Sequence, residues 1–154
     1  MSKPIHVLSR AVIIDNEHIL LCKTKQRDQE FYYLPGGHVE HDESAHQAVV
    51  REMLEEAGVE CSVERFLGCL EYNFSAEKYS NCCHTHEYNL LFKVVSSSLA
   101  LSIPLKRMEV HTELVWINLK DLITIDLRPE PLKVLISKWL TSDCHEAFES
   151  EIKQ

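Results

Sequence analysis

Apolar residues fall in short alternating or continuous runs along most of the chain, and only twice do they take a helical spacing. Residues 5–14 (IHVLSRAVII) and 18–24 (HILLCKT) are β-rich, and Asp15-Asn16-Glu17 between them predicts a hairpin-like connection. Residues 31–34 (FYYL) form a shorter apolar run that Pro35-Gly36-Gly37 stops. From Glu43 to Ala57 the period becomes helical, and Gly58 stands where a helix-ending glycine belongs. Strand-like runs follow at 61–74, 86–96 and 113–118, and residues 129–140 (PEPLKVLISKWL) predict an amphipathic helix with proline at its start. Strands dominate, with two helices placed to cover opposite faces of a mixed sheet. The predicted fold class is therefore α/β, a three-layer α/β/α sandwich. Trp116 and Trp139 are expected in its core.

Placing the first helix at 100° per residue puts Val49, Val50, Met53, Leu54 and Ala57 on one stripe, the expected core face. Glu52, Glu55 and Glu56 fall on a separate arc of about 100°, shared with Ala45 and Ala48. Like charges at i+3 and i+4 destabilise a helix, and no Lys or Arg interleaves this arc. Two readings stand side by side. One is a solvated acidic face; the other is a divalent-cation site, since clustered carboxylate oxygens suit hard Mg2+ or Mn2+. Mg2+ keeps waters and substrate phosphates among its ligands, so the second reading points to phosphoryl chemistry.

The chain has 154 residues, enough for one domain, and a composition ordinary for globular proteins. Its charge is less ordinary. Sixteen Lys and Arg against 24 Asp and Glu give −8, which disfavours nucleic-acid and anionic-membrane partners. Residues 38–60 carry seven of the acids and one base, so most of the imbalance is local. No apolar run is long enough to span a membrane, no signal-peptide pattern opens the chain, and the six cysteines show no paired framework. A cytoplasmic location with reduced thiols is the expectation. Residues 1–142 are read as a single domain and 143–154, net −3, as an acidic tail.

Gly37, five residues, Glu43, seven residues, then Arg51-Glu52-Met53-Leu54-Glu55-Glu56-Ala57-Gly58-Val59 matches the Nudix box throughout, and Leu34-Pro35-Gly36 resembles the family's approach to it. The chain as a whole resembles one MutT-like Nudix domain in length and element order. The resemblance implies the Nudix fold, and hydrolysis of the pyrophosphate linkage of a nucleoside diphosphate derivative with Mg2+ or Mn2+. By position it makes Glu52 and Glu56 the principal metal ligands, with Glu55 assisting and the Gly37 carbonyl as a further ligand. It has Arg51 orient a neighbouring glutamate and Glu43 fix the loop to the helix through an ion pair with Arg51. Some family members take the general base from outside the box, and here Glu87 and Glu113 are the candidates.

Other constellations are weaker. Arg10, Lys23, Lys25 and Arg27 are available phosphate clamps, with surface solubility the competing reading. Phe31, Tyr32 and Tyr33 are candidates to stack on a nucleobase, and alternation sends Tyr32 opposite its neighbours, so at least one of the rings is expected in the core. Cys82-Cys83-His84-Thr85-His86 concentrates zinc-type donors, although adjacent cysteines do not readily close a tetrahedral site and no partner C-x-x-C exists. His38, His41 and His46 surround the box, and either phosphate contact or simple exposure accounts for them. The proline marking the family's ADP-ribose subgroup is missing, since Asn73-Phe74-Ser75 occupies that region. Tyr72 and Tyr79 are off register for the dinucleoside-polyphosphate subgroup, and the coenzyme A signature is absent. Elimination leaves a nucleoside triphosphate as the expected substrate, with ADP-ribose or nucleotide-sugar hydrolysis, or a non-catalytic nucleotide-binding module, as alternatives. The expected partner is a small-molecule nucleotide, and the expected state a monomer or homodimer.

Overall fold

The computed structural model describes residues 3–75, 84–141 and 146–152. In chain order they form β1 (Ile5–Val12), β2 (Ile14–Asp15), β3 (His18–Gln26), β4 (Gln29–Tyr33), β5 (Gly36–His38), α1 (Ala45–Ala57), β6 (Ser62–Asn73), β7 (His86–Val95) and β8 (Thr112–Asn118). A short 3-10 helix (Leu119–Thr124), α2 (Leu132–Leu140) and β9 (Phe148–Ser150) complete them. The turn at Asn16-Glu17 is where the residues predicted it, with both in the left-handed region (φ 44° and 62°). It joins β2 to β3, however, not β1 to β3. The predicted strand 5–14 is split at Ile13, and its two parts belong to different sheets.

One sheet runs β5-β1-β7-β6-β9 and is mixed, with β1 parallel to β7 and β6 parallel to β9. In the other, β3 pairs antiparallel with β2, β4 and β8. Two apolar cores result. Val49, Met53 and Ala57 of α1 pack with Ala11, Ile13, Leu20 and Phe92. Leu132, Leu135, Ile136 and Trp139 of α2 pack with Val12, Leu21, Leu70 and Leu91. Helices therefore cover both sides of the strands, as the α/β/α expectation required. Trp139 is fully buried and donates its indole N–H to the Glu146 carbonyl at 2.9 Å. Trp116 is only half-buried, against the α1 core. No helix of the described residues is long and apolar enough to cross a membrane.

Two predictions need correction. Leu54, placed on the core stripe, is 55% exposed, while Ala48, placed on the acid arc, is wholly buried. The small side chains of Ala45 and Ala48 leave room not for solvent but for β1 and β5, and the Ser9 hydroxyl donates to the Ala45 carbonyl at 2.6 Å. Within the segment read as an acidic tail, residues 148–150 add a fifth strand, pairing with Cys69, Leu70 and Glu71 of β6.

Candidate active site

The acid arc is built from α1 and the turn before it. Ser44 caps the helix in a reciprocal capping box with Gln47, and Gly58 ends it in the left-handed conformation (φ 65°). Glu43 lies one residue outside the cap and reaches back to Arg51. Arg51 donates to both Glu43 carboxylate oxygens, from Nε at 3.0 Å and from NH2 at 2.8 Å. This fork is why the Glu43 carboxyl is held down to about 2. The same guanidinium donates to Glu52 at 3.0 Å, to the His38 carbonyl at 3.1 Å, and more loosely to Glu55 at 3.4 Å. One cation thus orients three carboxylates and the end of β5.

Glu52 and Glu56 point from α1 onto the two glycines of β5. The Gly36 N–H donates to Glu56 Oε2 at 2.8 Å. A Cβ on Gly37 would overlap the Glu52 carboxylate, all three of whose end atoms lie within 2.9 Å of that position. Burial pushes the Glu56 carboxyl up to about 7, against the pull of the Gly36 N–H and the more distant Arg10. A small cleft beside it is lined by Cys22, Lys106, Met108, Glu109, Thr112 and Leu114. Glu55 stands outside, with 59% of its side chain exposed.

Comparison with known proteins places the chain in a family. The NUDIX domain family model matches residues 5–138. The chain belongs to the Nudix hydrolase family. A Caenorhabditis elegans relative named as a nudix hydrolase is 28% identical over 88% of this chain and 34% of its own length. The CTP pyrophosphohydrolase of Escherichia coli (strain K12) is 27% identical over 86% of this chain and 90% of that protein. The crystal structure of a MutT protein from Methanosarcina mazei Go1 superposes with a TM-score of 0.68 at 21% identity, covering 90% and 95% of the two chains, a likeness of fold. The chain spans little more than a third of the length of three of the curated relatives it matches (34%, 38% and 39%).

Nudix hydrolases generally use a divalent metal ion. The residues here suit one. Glu56, partly buried, has one neutral N–H as its hydrogen-bond donor and only the more distant Arg10 as an opposing charge, so an added cation would favour its charged form. The Glu52 carboxylate rests where only glycine leaves room, beside the Gly37 backbone. These are hard oxygen donors of the kind Mg2+ and Mn2+ take.

The remaining Nudix candidates divide. Arg10 donates to the Leu34 and Gly36 carbonyls, both at 3.1 Å, and its guanidinium lies 5.9 Å from the centre of the Tyr33 ring. Burial raises the Tyr33 phenol to about 12, and its hydroxyl sits 3.4 Å from Thr112 Oγ1. Both residues are therefore beside Glu56. Lys23 and Glu113 are not. They are cross-strand partners, and alternation from Cys22 turns them to the other face of their sheet. There Lys23 pairs with Glu30 at 3.1 Å and Glu113 at 3.7 Å. Glu87 is buried on β7 and committed to His84 at 2.6 Å and Asn89 at 2.9 Å. Among the box-flanking histidines, His46 packs edge-on against Phe92, His41 is exposed, and His38 joins His6 and His84. Burial, together with the neighbouring imidazoles, lowers the proton affinity of both His6 and His38. His86, from the Cys82–His86 run, pairs with Glu71 at 3.1 Å; Cys82 and Cys83, like Tyr79, lie outside the described residues.

Proposed function

We propose that this Nudix domain hydrolyses the pyrophosphate linkage of a nucleoside triphosphate, aided by Mg2+ or Mn2+. The observation that carries the reading is the convergence of Glu52 and Glu56 on the Gly36-Gly37 backbone, with Arg51 fixing the arrangement from behind. The assignment of a triphosphate draws on the relative named for CTP hydrolysis and on the missing proline of the ADP-ribose subgroup.

In this reading Glu52, Glu56 and the Gly37 carbonyl hold the metal, and Glu55 supports it from the solvent side. When bound, divalent ions neutralise phosphate oxygens, acidify the attacking water and stabilise the leaving phosphate. Glu55, the most exposed of the box carboxylates and the most loosely held by Arg51, takes the proton of that water. Arg51 keeps the helix carboxylates in register, and Glu43 ties the preceding turn to them. Arg10, which donates to the Gly36 carbonyl, is the residue assigned to phosphate, and Tyr33, whose ring lies 5.9 Å from its guanidinium, the one assigned to the nucleobase.

The test is a panel of nucleoside triphosphates, ADP-ribose, nucleotide sugars and dinucleoside polyphosphates with Mg2+ or Mn2+, run on the full chain and on Glu56→Gln. Turnover of triphosphates is expected, falling by about two orders of magnitude in the variant while the fold is retained, since Gln still accepts from Gly36. Faster turnover of ADP-ribose or a nucleotide sugar would move the substrate class and leave the chemistry standing. No turnover of any compound would favour a binding module, and an unchanged Glu56→Gln rate would refute the metal assignment.

A further inference from the structure

Three imidazoles from three neighbouring segments converge on one face of the mixed sheet. His6 of β1 is the register partner of Glu87 in β7, and Leu8, two residues on, is the partner of His38 in β5. Period-two alternation therefore sets His6, His38 and Glu87 on the same side. His84, just before β7, completes the group. Its ring stacks on His6 with centroids 4.1 Å apart, and His38 meets His6 edge-on at 4.7 Å. One nitrogen from each ring lies within 4.8 Å of the other two.

We propose that His6, His38 and His84 form a second metal site, selective for a borderline transition-metal ion of the Zn2+ class. Imidazole nitrogens suit such ions, whereas Mg2+ asks for oxygen. At a Zn–N distance of ~2.1 Å, tetrahedral ligands stand ~3.4 Å apart, so the rings draw in by about an ångström on closing. Side-chain rotation supplies that movement, because His6 is half-buried and His38 exposed.

The second observation is what stands behind the rings. His84 and Glu87 are both buried, and Glu87 Oε2 holds His84 Nε2 at 2.6 Å. Asn89 Nδ2 donates to the other carboxylate oxygen at 2.9 Å. A ligand histidine whose far nitrogen is fixed by a carboxylate, itself fixed by an amide, is the outer shell that metal-binding imidazoles use. It orients the His84 ring within the cluster. A buried carboxylate this close to the imidazoles also supplies charge that an entering dication would balance.

The two sites differ in donor chemistry and so can be separated. An untagged chain, stripped with chelator and held in saturating Mg2+, is titrated with Co2+ and then Zn2+, following visible absorption and calorimetry. We expect one Co2+ per chain with the d–d bands of an imidazole site, displaced by Zn2+, and a higher Tm with Zn2+. His6→Gln and His38→Gln, at half-buried and exposed strand positions that tolerate glutamine, should each weaken binding by about tenfold or more, and Glu87→Gln by about tenfold. Glu52→Gln should bind Co2+ as the native chain does. Absence of the spectrum, native affinity in both histidine variants, or loss of the spectrum in Glu52→Gln would each overturn the site. Failure of the Nudix reading would show instead as absent nucleotide turnover with the Co2+ spectrum intact.

Discussion

Gly37→Ala tests whether the Glu52 carboxylate must lie against the backbone of β5. The added methyl would stand within 2.9 Å of all three end atoms of Glu52, against an ordinary contact of roughly 3.5–4.0 Å. The carboxylate must retreat by about an ångström, which a flexible side chain on a helix surface does at little cost. Displacements of that size in a catalytic group can cost roughly a hundredfold, about 2.7 kcal/mol of transition-state stabilisation. Stability should move by no more than about 1 kcal/mol, since what is strained is one hydrogen bond from Arg51 at 3.0 Å. The control is Gly36→Ala. At φ 130° that residue suits glycine alone, and a Cβ there would run into the Ser9 carbonyl, a backbone atom that does not step aside. The assay is Mg2+-dependent phosphate release coupled to pyrophosphatase, alongside urea unfolding. We expect Gly37→Ala to be folded and nearly inactive and Gly36→Ala to be poorly folded. A Gly37→Ala variant within threefold of native activity would refute the placement of Glu52 as a ligand held on the glycine.

Arg51→Met leaves Glu43, Glu52 and Glu55 without their shared counter-ion. Activity should drop at least about tenfold and Tm fall by several degrees in thermal unfolding, and Arg51→Lys, which lacks the fork, should recover little of either. Gly68→Ala would drive a methyl into the ring of the buried Trp139, so urea unfolding should show about 1–3 kcal/mol of destabilisation; Trp139→Phe added to it should relieve part of that loss. Hydrogen bonds from Tyr88 and Ser150 hold the Glu71 carboxyl below the usual carboxylate range. A depressed folded-state pKa contributes stability above the unfolded value and loses it as pH falls through the folded one. Amide exchange at residues 148–152 should therefore accelerate on acidification below about pH 4.3, and Glu71→Gln should flatten that dependence.

What was legible in the sequence was what depends on local period and turn chemistry. The helix from Ala45, its Gly58 end and the Asn16-Glu17 turn follow from residues within a few positions of one another. The Glu43–Arg51 pair was equally legible, because the box spacing carried it. The misplacement of Leu54 and Ala48 has a different origin. A hydropathy stripe assumes that the helix buries its most apolar side, whereas here Ala48 is buried and Glu52 and Glu56 are partly covered because two glycines let β5 approach them. β5 itself is Gly-Gly-His, with no apolar pattern to betray a strand. The histidine cluster was out of reach for a topological reason: His6 and His84 meet only because β1 and β7, far apart in sequence, lie parallel and adjacent. The sequence pattern placed Lys23 and Glu113 near the chemistry, and the pleat turned them away.

The net charge of −8 looks different once the packing is known. Its largest concentration lies at residues 38–60, where a single arginine answers seven acids. Arg51 divides its donors among Glu43, Glu52 and Glu55, and Glu56 receives only a backbone N–H. Like-charged groups so close cost stability unless something cationic arrives, and the partial burial of Glu56 weakens screening by solvent ions. The chain therefore carries a deficit of positive charge at one spot, and two or three divalent ions, bringing roughly +4 to +6, would offset it. An acidic surface repels a free triphosphate. In the proposed reading the same carboxylates, loaded with metal, would attract it, which would couple nucleotide binding to cation binding by charge. Measured nucleotide affinity should accordingly rise with Mg2+ concentration and vanish in chelator, and in Glu56→Gln the dependence on Mg2+ should weaken along with the rate.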